Sequence, residues 1–381
     1  MKILHVTPSY LPAYQFGGPI KSVHLLNKYL VKNGVEVNVI TTNAGLDSTI
    51  YKPNKWHNID NVKVMYFNFF GYIHYNFSIS LFIYLINNVK NFDVIHITAV
   101  WNFPVIAAST ACWLSNKKYI ISPRGTIYKE TIELKSSYFK KIYYFLFAKF
   151  SLQNAEYIHF TTNDESEKVL SYLKLKAKPL VIPNGIELVD NQIIITKNNS
   201  EKYFLFLGRL SKKKGIDILL DSFAEFKKNN KSHKLYIVGP DEENYKLHLE
   251  HQIQILGLES EIIFKSLTQG EEKNLLYKNA EAFVLTSYSE NFGMTVVEAI
   301  QNNCAVIISD KVGIYKDLEK YNASIVCKLD KISIKNALEK MTINDESKLE
   351  MIKNANTCIN ELYEINAISK KFIKIYNDIL N

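Results

Sequence analysis

Along most of this 381-residue chain, short unbroken apolar runs alternate with stretches whose apolar positions recur every three or four residues. A run of the first kind reads as a strand buried on both faces, and a stretch of the second as a helix with one apolar stripe. The pattern predicts strands at 2–7, 35–41, 62–66, 93–98, 118–122, 157–161 and 180–182, with helices over 20–33 and 105–115 among them. A turn-rich and then polar segment, 183–202, reads as a hinge. Beyond it come strands at 203–207, 234–238, 261–264, 282–286 and 305–309. Ile216, Leu219, Leu220, Phe223 and Phe226 share one helical face, and from about 332 the chain reads as helix to its end. Strand–helix alternation marks parallel βαβ units. The expected fold is therefore α/β, two doubly wound domains facing across a cleft. They divide as 1–185 and 186–361, with the last helix, about 362–381, packing back onto the first. Ligands of such sheets sit beyond the strand C-termini, so the loops there are where chemistry is to be sought.

Composition narrows the class without choosing a ligand. Hydrophobic residues at 47% and charged residues at 22% describe a globular protein rather than a disordered one. The net charge of +8 suits anionic small molecules, a membrane surface or nucleic acid. No nucleic-acid-binding module is recognisable, so no nucleic acid is expected as partner. The four cysteines (Cys112, Cys304, Cys327, Cys358) are scattered, which reads as free thiols in a reducing compartment. The chain opens directly on a strand, with no leader pattern, and a cytoplasmic location is expected. No Gly-x-Gly-x-x-Gly follows the first strand and no Walker lysine loop occurs, which argues against nicotinamide, flavin and P-loop sites. No Asp-x-Asp motif or metal-ligand spacing is present, so neither a metal nor a cofactor is expected.

The stretch richest in chemistry is Ser287-Tyr-Ser-Glu-Asn-Phe-Gly-Met-Thr-Val-Val-Glu298. It leaves the strand at 282–286 and enters a helix near Met294 or Thr295. A helix start carries unpaired N–H groups and the positive end of a dipole, and so favours an anion. Gly293, beside Phe292, lets backbone come close to a ligand. Glu290 and Glu298 flank the helix start, and a carboxylate accepts hydrogen bonds from paired hydroxyls such as those of a sugar or ribose. Singly, each glutamate is also what a solvated loop or a helical first turn carries. Together they suit a sugar, a diphosphate and a ribose in line, which is a nucleotide-sugar. Gly208-Arg-Leu-Ser-Lys-Lys-Lys-Gly215 links the strand at 203–207 to its helix and can aim Arg209 and Lys214 at one phosphate, a planar fork and a point charge.

Glu290 to Glu298 matches the E-x7-E motif, and SENFGMTVVEAI with GRLSKKKG resembles family 4 of the retaining glycosyltransferases, over essentially the whole chain. The resemblance implies a GT-B fold of two Rossmann-like domains, with the donor site mainly in the second and the acceptor site in the first. Arg209 and Lys214 are then donor-diphosphate ligands, and Glu290 is the third member of the catalytic set. Donor contacts extend to Glu298, Gly293, Met294, Thr295 and Phe292, to Gly17 and Gly18 after the first strand, and to Asn184 in Pro183-Asn-Gly. The nucleobase falls beside Gly239, Lys265 and Leu267, where uracil and guanine are not distinguished, so the donor is UDP- or GDP-linked. Ser122-Pro-Arg-Gly125 stands where many relatives have a histidine. Arg124 is left as a sugar contact, an acceptor-phosphate contact or a surface arginine held by a turn. His96 and Asn163 complete the acceptor or sugar side, His96 also reading as a core residue and Asn163 as a helix-cap residue.

The segment 137–150 is aromatic, basic and free of acids. It reads either as a helix lying in a membrane interface or as a core helix with a few exposed lysines, and the aromatic run 66–84 extends the same surface. A peripheral membrane contact there would fit a lipid-linked acceptor. The functional expectation is a metal-independent hexosyltransferase acting with retention on a saccharide or lipid-linked hydroxyl, in assembly of capsule or lipopolysaccharide. A nucleotide-sugar 2-epimerase is the competing enzyme class, and a two-lobed solute-binding protein the competing non-enzyme.

Overall fold

A computed structural model describes residues 1–129, 132, 137–188, 201–241, 244–266 and 268–381. The chain divides into two compact units, one of Met1–Glu187 with Tyr363–Asn381 and one of Leu188–Leu362. Most of the predicted hinge, 189–200, lies outside the described residues.

The first unit is built on eight strands: β1 (Lys2–Val6), β2 (Glu36–Thr42), β3 (Trp56–Ile59), β4 (Val62–Phe67), β5 (Val94–Thr98), β6 (Tyr119–Ser122), β7 (Tyr157–Phe160) and β8 (Lys178–Val181). Their order is β3-β4-β2-β1-β5-β6-β7-β8, parallel throughout except that β3 runs antiparallel to β4. Alternate residues feed two cores. Ile3, Val37, Val39, Val94 and Ile120 go to one face and Leu4, Val6, Ile95, Ile97 and Ile121 to the other, as the two-residue period of a strand requires. The helix Ile365–Leu380 lies on the first of these faces. Its Ile365, Ile368, Phe372, Tyr376 and Ile379 are all buried there, each contributing about 1.5–3 kcal/mol of transfer free energy. Glu364 caps it, accepting from the Asn366 and Ala367 amides at 2.7 and 2.6 Å. Asn33, at the end of the helix Gly18–Lys32, donates to Asn366 and Ser369.

The second unit carries six parallel strands: β9 (Lys202–Leu207), β10 (His233–Val238), β11 (Ile262–Lys265), β12 (Ala282–Leu285), β13 (Val306–Ser309) and β14 (Ile325–Cys327), in the order β11-β10-β9-β12-β13-β14. The helix Ile216–Lys227 buries Ile216, Leu219, Leu220, Phe223 and Phe226, the stripe read from the sequence. Every strand predicted from apolar runs is present. The sequence pattern misses β3 and β14, and several helices, among them Ile79–Asn88, Tyr245–Leu256 and Gly270–Asn279. Among the described residues, no helix is long and apolar enough to cross a membrane.

Candidate functional site

In the second unit the strand order turns back between β9 and β12. At such a switch point the loops leaving two adjacent strands diverge and open a crevice at their C-terminal ends. The loop leaving β9 is 208–215, and the loop leaving β12 runs to Gly293. They are stitched together: the Tyr288 amide donates to the Lys213 carbonyl at 2.9 Å, and the Thr286 hydroxyl to the Gly215 carbonyl at 2.9 Å. Gly215 adopts φ +63°, and a Cβ there would collide with the Thr286 carbonyl, so the close approach requires glycine. The β12 loop is pinned again from β13, by Glu290 N–H to Lys311 O at 3.1 Å and Gly313 N–H to Glu290 O at 2.8 Å.

This stitching brings Lys214 and Glu290 into a direct, largely buried ion pair. Burial alone would push the Glu290 carboxyl up. The charge and hydrogen bond of Lys214, with the charges of Lys213 and Arg209, outweigh it and hold Glu290 below the ordinary carboxylate range. Glu290 is thus ionised at neutral pH, an acceptor of hydrogen bonds rather than a proton donor. Arg209 is exposed directly after β9, within electrostatic reach of that carboxylate. Gly293, which has no side chain to cap with, is the cap residue of the helix Met294–Gln301, at φ +81°. Met294 and Thr295 are half-buried in its first turn. Phe292 is 3% exposed.

Glu298, one turn into the same helix, is held through Oε2 by Lys273 at 2.6 Å and by the Tyr277 hydroxyl at 3.3 Å. Lys273 and Tyr277 come from the helix Gly270–Asn279, and no motif in the sequence announces them. Gly239 follows β10 and its amide donates to the Lys265 carbonyl at 3.2 Å. Lys265 lies over the Tyr236 ring, 4.5 Å from its centre. Leu267 lies outside the described residues. Among the described residues no cluster of three or more His, Cys, Asp or Glu side chains could hold a metal ion.

In the first unit a cavity of about 250 Å³ opens at the C-terminal ends of β1, β5 and β6, again where the strand order turns back. Its wall includes Pro19 and Ile20, in the first turn of the helix Gly18–Lys32, for which Gly17 is the cap residue at φ +93°. Arg124 lines it too. Its backbone is left-handed at φ +56°, and one terminal nitrogen donates to Asn184 Oδ1, so these two predicted residues meet. Burial lowers the Arg124 pKa to about 10, well above neutrality.

His96 is a correction, because its ring belongs to the core. His96 is completely buried in a chain of hydrogen bonds that fixes every tautomer. His159 Nε2–H donates to the Ile182 carbonyl at 2.7 Å, so Nδ1 accepts from Ser122 Oγ at 2.7 Å. Ser122 in turn accepts from His96 Nε2–H at 2.7 Å, and His96 Nδ1 accepts from the Tyr376 hydroxyl at 2.8 Å. Both His96 nitrogens are used, and the ring has no contact left for a substrate. Asn163 is an exposed first-turn residue, and the cap is Thr162, which accepts from the Glu165 amide at 3.0 Å. Glu165 is a further residue that sequence reading missed. Fully buried, it accepts from Gly125 N–H at 2.6 Å and Thr161 N–H at 2.8 Å, and so fixes the Arg124 turn. Its signal was available as Thr162-x-x-Glu165, a capping-box spacing.

The segment 137–150 begins with the helix Ser137–Tyr143, continues through a π-helical turn at Tyr144–Ala148 and ends in the helix Lys149–Gln153. The side chains of 137–139 lie outside the described residues. Tyr143 and Tyr144 pack against the core, whereas Phe145 is 72% and Leu146 60% exposed. The segment is therefore partly core and partly an apolar surface.

Two family models together match residues 16–357: "Glycosyltransferase Family 4" over residues 16–190 and "Glycosyl transferases group 1" over residues 190–357. An uncharacterized glycosyltransferase of Methanocaldococcus jannaschii is 24% identical over 99% of this chain and 98% of its own length. The O-antigen chain mannosyltransferase of Salmonella typhimurium is 30% identical over 46% of this chain and 48% of its own. Among solved structures, sucrose-phosphate synthase from Thermosynechococcus elongatus superposes with a TM-score of 0.76 at 17% identity, covering 100% of this chain and 99% of that one. Anabaena HepE with UDP and glucose superposes with a TM-score of 0.75 at 16% identity, covering 99% of each. WaaG, a glycosyltransferase involved in lipopolysaccharide biosynthesis, does so at 0.72 and 14%, covering 98% and 99%. The two matched models, with the two parallel-sheet units beneath them, make this chain a family 4 glycosyltransferase of the GT-B fold.

Proposed function

We propose that the protein moves a hexosyl group, with retention, from a UDP- or GDP-linked donor to a hydroxyl of a saccharide or lipid-linked acceptor. The donor site is the second-unit crevice. The observation that carries this reading is the meeting of Lys214 and ionised Glu290 beside the glycine-capped start of the helix Met294–Gln301, with Arg209 in reach. In the reaction the anomeric C–O bond of the donor breaks, and the acceptor oxygen bonds to that carbon from the same face. The acceptor proton passes to the leaving diphosphate. Arg209, Lys214 and the helix start supply positive charge where that diphosphate develops its own, so the reading gives no metal a role. Glu290 orients the sugar through its hydroxyls, and Glu298 holds the ribose.

The acceptor side is placed in the first unit, and a peripheral membrane contact through Phe145 and Leu146 would bring it to a lipid-linked acceptor. Work in surface polysaccharide assembly at the cytoplasmic face is supported by the O-antigen and lipopolysaccharide relatives. The test is a panel of UDP- and GDP-sugars with and without candidate acceptors, read as nucleotide released. Glu290→Ala is expected to lose turnover more than nucleotide affinity, and Arg209→Ala to lose both. Undiminished turnover in Glu290→Ala would refute the placement.

A further inference from the structure

The first-unit cavity has walls already tied together. Asn76 Nδ2 donates to the Pro8 carbonyl at 2.8 Å, Asn102 Nδ2 to the His74 carbonyl at 2.6 Å, and Trp101 Nε1 to the Thr126 carbonyl at 2.8 Å. Two polar atoms of the wall stand outside this scheme. Asn76 is 1% exposed and its Oδ1 has no partner; Arg124 Nε is buried and has none either. A buried polar atom left unmatched costs free energy, so two in one cavity point to a ligand that satisfies both. They are opposite in kind, one accepting and one donating a charged hydrogen bond.

Charge decides what the donor wants. Among the described residues the cavity wall holds one full cation, Arg124, with His74, and no aspartate or glutamate. The nearby acid, Glu165, already spends its oxygens on the amides of Gly125 and Thr161 and the Thr161 hydroxyl. One terminal nitrogen of Arg124 is fixed by Asn184, which leaves Nε as the guanidinium N–H without a protein partner. A guanidinium edge matches the two oxygens of a carboxylate or phosphate. The first turn of the helix Gly18–Lys32 also reaches the cavity and favours negative charge. Three non-glycine residues of the wall, Asn76 at φ +59°, Ala99 at φ +82° and Arg124 at φ +56°, hold left-handed backbone, a strain that collects at functional sites. At about 250 Å³ the cavity is below the roughly 300–1,000 Å³ of sites for drug-sized molecules and suits one sugar ring.

We propose that this cavity seats an acidic sugar unit of the acceptor, its carboxylate or phosphate on the Nε edge of Arg124 and a hydroxyl on Asn76 Oδ1. The inference rests on the transferase reading above and gives it a substrate class, an anionic acceptor.

The test is ligand-observed NMR on the full chain with glucuronate, glucose 6-phosphate and glucose as probes. The same samples are titrated with UDP and GDP. At least one acidic probe is expected to bind ten-fold or more tightly than glucose, and which acid wins separates carboxylate from phosphate. Arg124→Gln is expected to erase that preference with nucleotide affinity unchanged, Arg124→Lys to keep part of it, and Asn76→Ala to weaken all three probes alike. Should Arg124→Gln fail to fold, the wild-type ranking and Arg124→Lys decide. Equal binding of glucose and both acids, or a preference that survives Arg124→Gln, overturns the inference. Nucleotide binding without acid preference sinks it alone, whereas acid preference without nucleotide binding sinks the donor reading instead.

Discussion

Acidification should destabilise the first unit, and a cluster of three of its buried histidines sets the amount. His5, His96 and His159 form one cluster, His5 stacked on His96 at 4.5 Å and His96 edge-on to His159 at 6.0 Å. Burial drives each below the ordinary histidine value, His5 to about 4, His159 to about 3 and His96 well below it. The unfolded chain titrates near 6.5. Between that value and the folded ones the unfolded state binds more protons, so stability is fully present above 6.5 and falls as pH drops toward 4. From pH 7 to pH 5.5 each ring costs about 1.3 kcal/mol, and the three together about 4 kcal/mol. Burial raises the Glu165 carboxyl, a shift of the opposite sign that offsets part of this. With a urea slope of about 2 kcal/mol per molar, the midpoint should move down by roughly 1.5–2 M. All three tryptophans, Trp56, Trp101 and Trp113, lie in the first unit, so their fluorescence reports that unit alone. His159→Gln, which cannot titrate, should be less stable at pH 7 but lose about a third of the pH dependence. A midpoint that stays within about 0.5 M between the two pH values, or a variant as pH-sensitive as wild type, would refute the reasoning.

In Lys214→Ala the ion pair is gone and burial acts on Glu290 unopposed by its nearest charge, so the acid limb of the donor-turnover profile should move to higher pH; an unmoved limb means that Glu290 does not titrate in turnover. Gly293→Ala should cost about 1–3 kcal/mol of second-unit stability by calorimetry, since φ is +81° and the new Cβ would sit 3.0 Å from Val312 Cγ1; a neutral effect would mean that the loop relaxes freely. Phe145→Ser with Leu146→Ser should leave thermal stability nearly unchanged, both side chains being exposed, yet reduce co-flotation with anionic vesicles several-fold; unchanged flotation would move the membrane contact elsewhere.

The sheets were legible because parallel strands covered on both faces have no way to be polar. Val94-Ile-His-Ile-Thr98 and Ala282-Phe-Val-Leu285 announce themselves as apolar runs, and their alternation with helical stripes leaves one fold class. What escaped lies where that constraint lapses. The strand Trp56–Ile59 is an edge with its alternate positions in solvent, and Ile325–Cys327 is three residues long, too short for a period to show. The helix Gly18–Lys32 starts two residues before the reading, although Pro19 in its first turn was the available sign.

The site divides along the same line, between what one segment encodes and what the sheet brings together. Arg209, Lys214, Glu290 and Gly293 each sit at a fixed distance from a strand end, so their shared neighbourhood follows once the strands are placed. Lys273 and Tyr277 reach Glu298 from a helix that no spacing connects to it. His96 shows the converse error, because a strand sequence says which residues enter the sheet but not whether a ring faces a loop or a core. Here the first of the two cores is closed by Tyr376, a residue 280 positions away, whose hydroxyl takes the last free nitrogen of that ring. A histidine on a parallel strand should therefore be assigned to chemistry only after the elements covering both faces of that strand have been counted, including any that return from the far end of the chain.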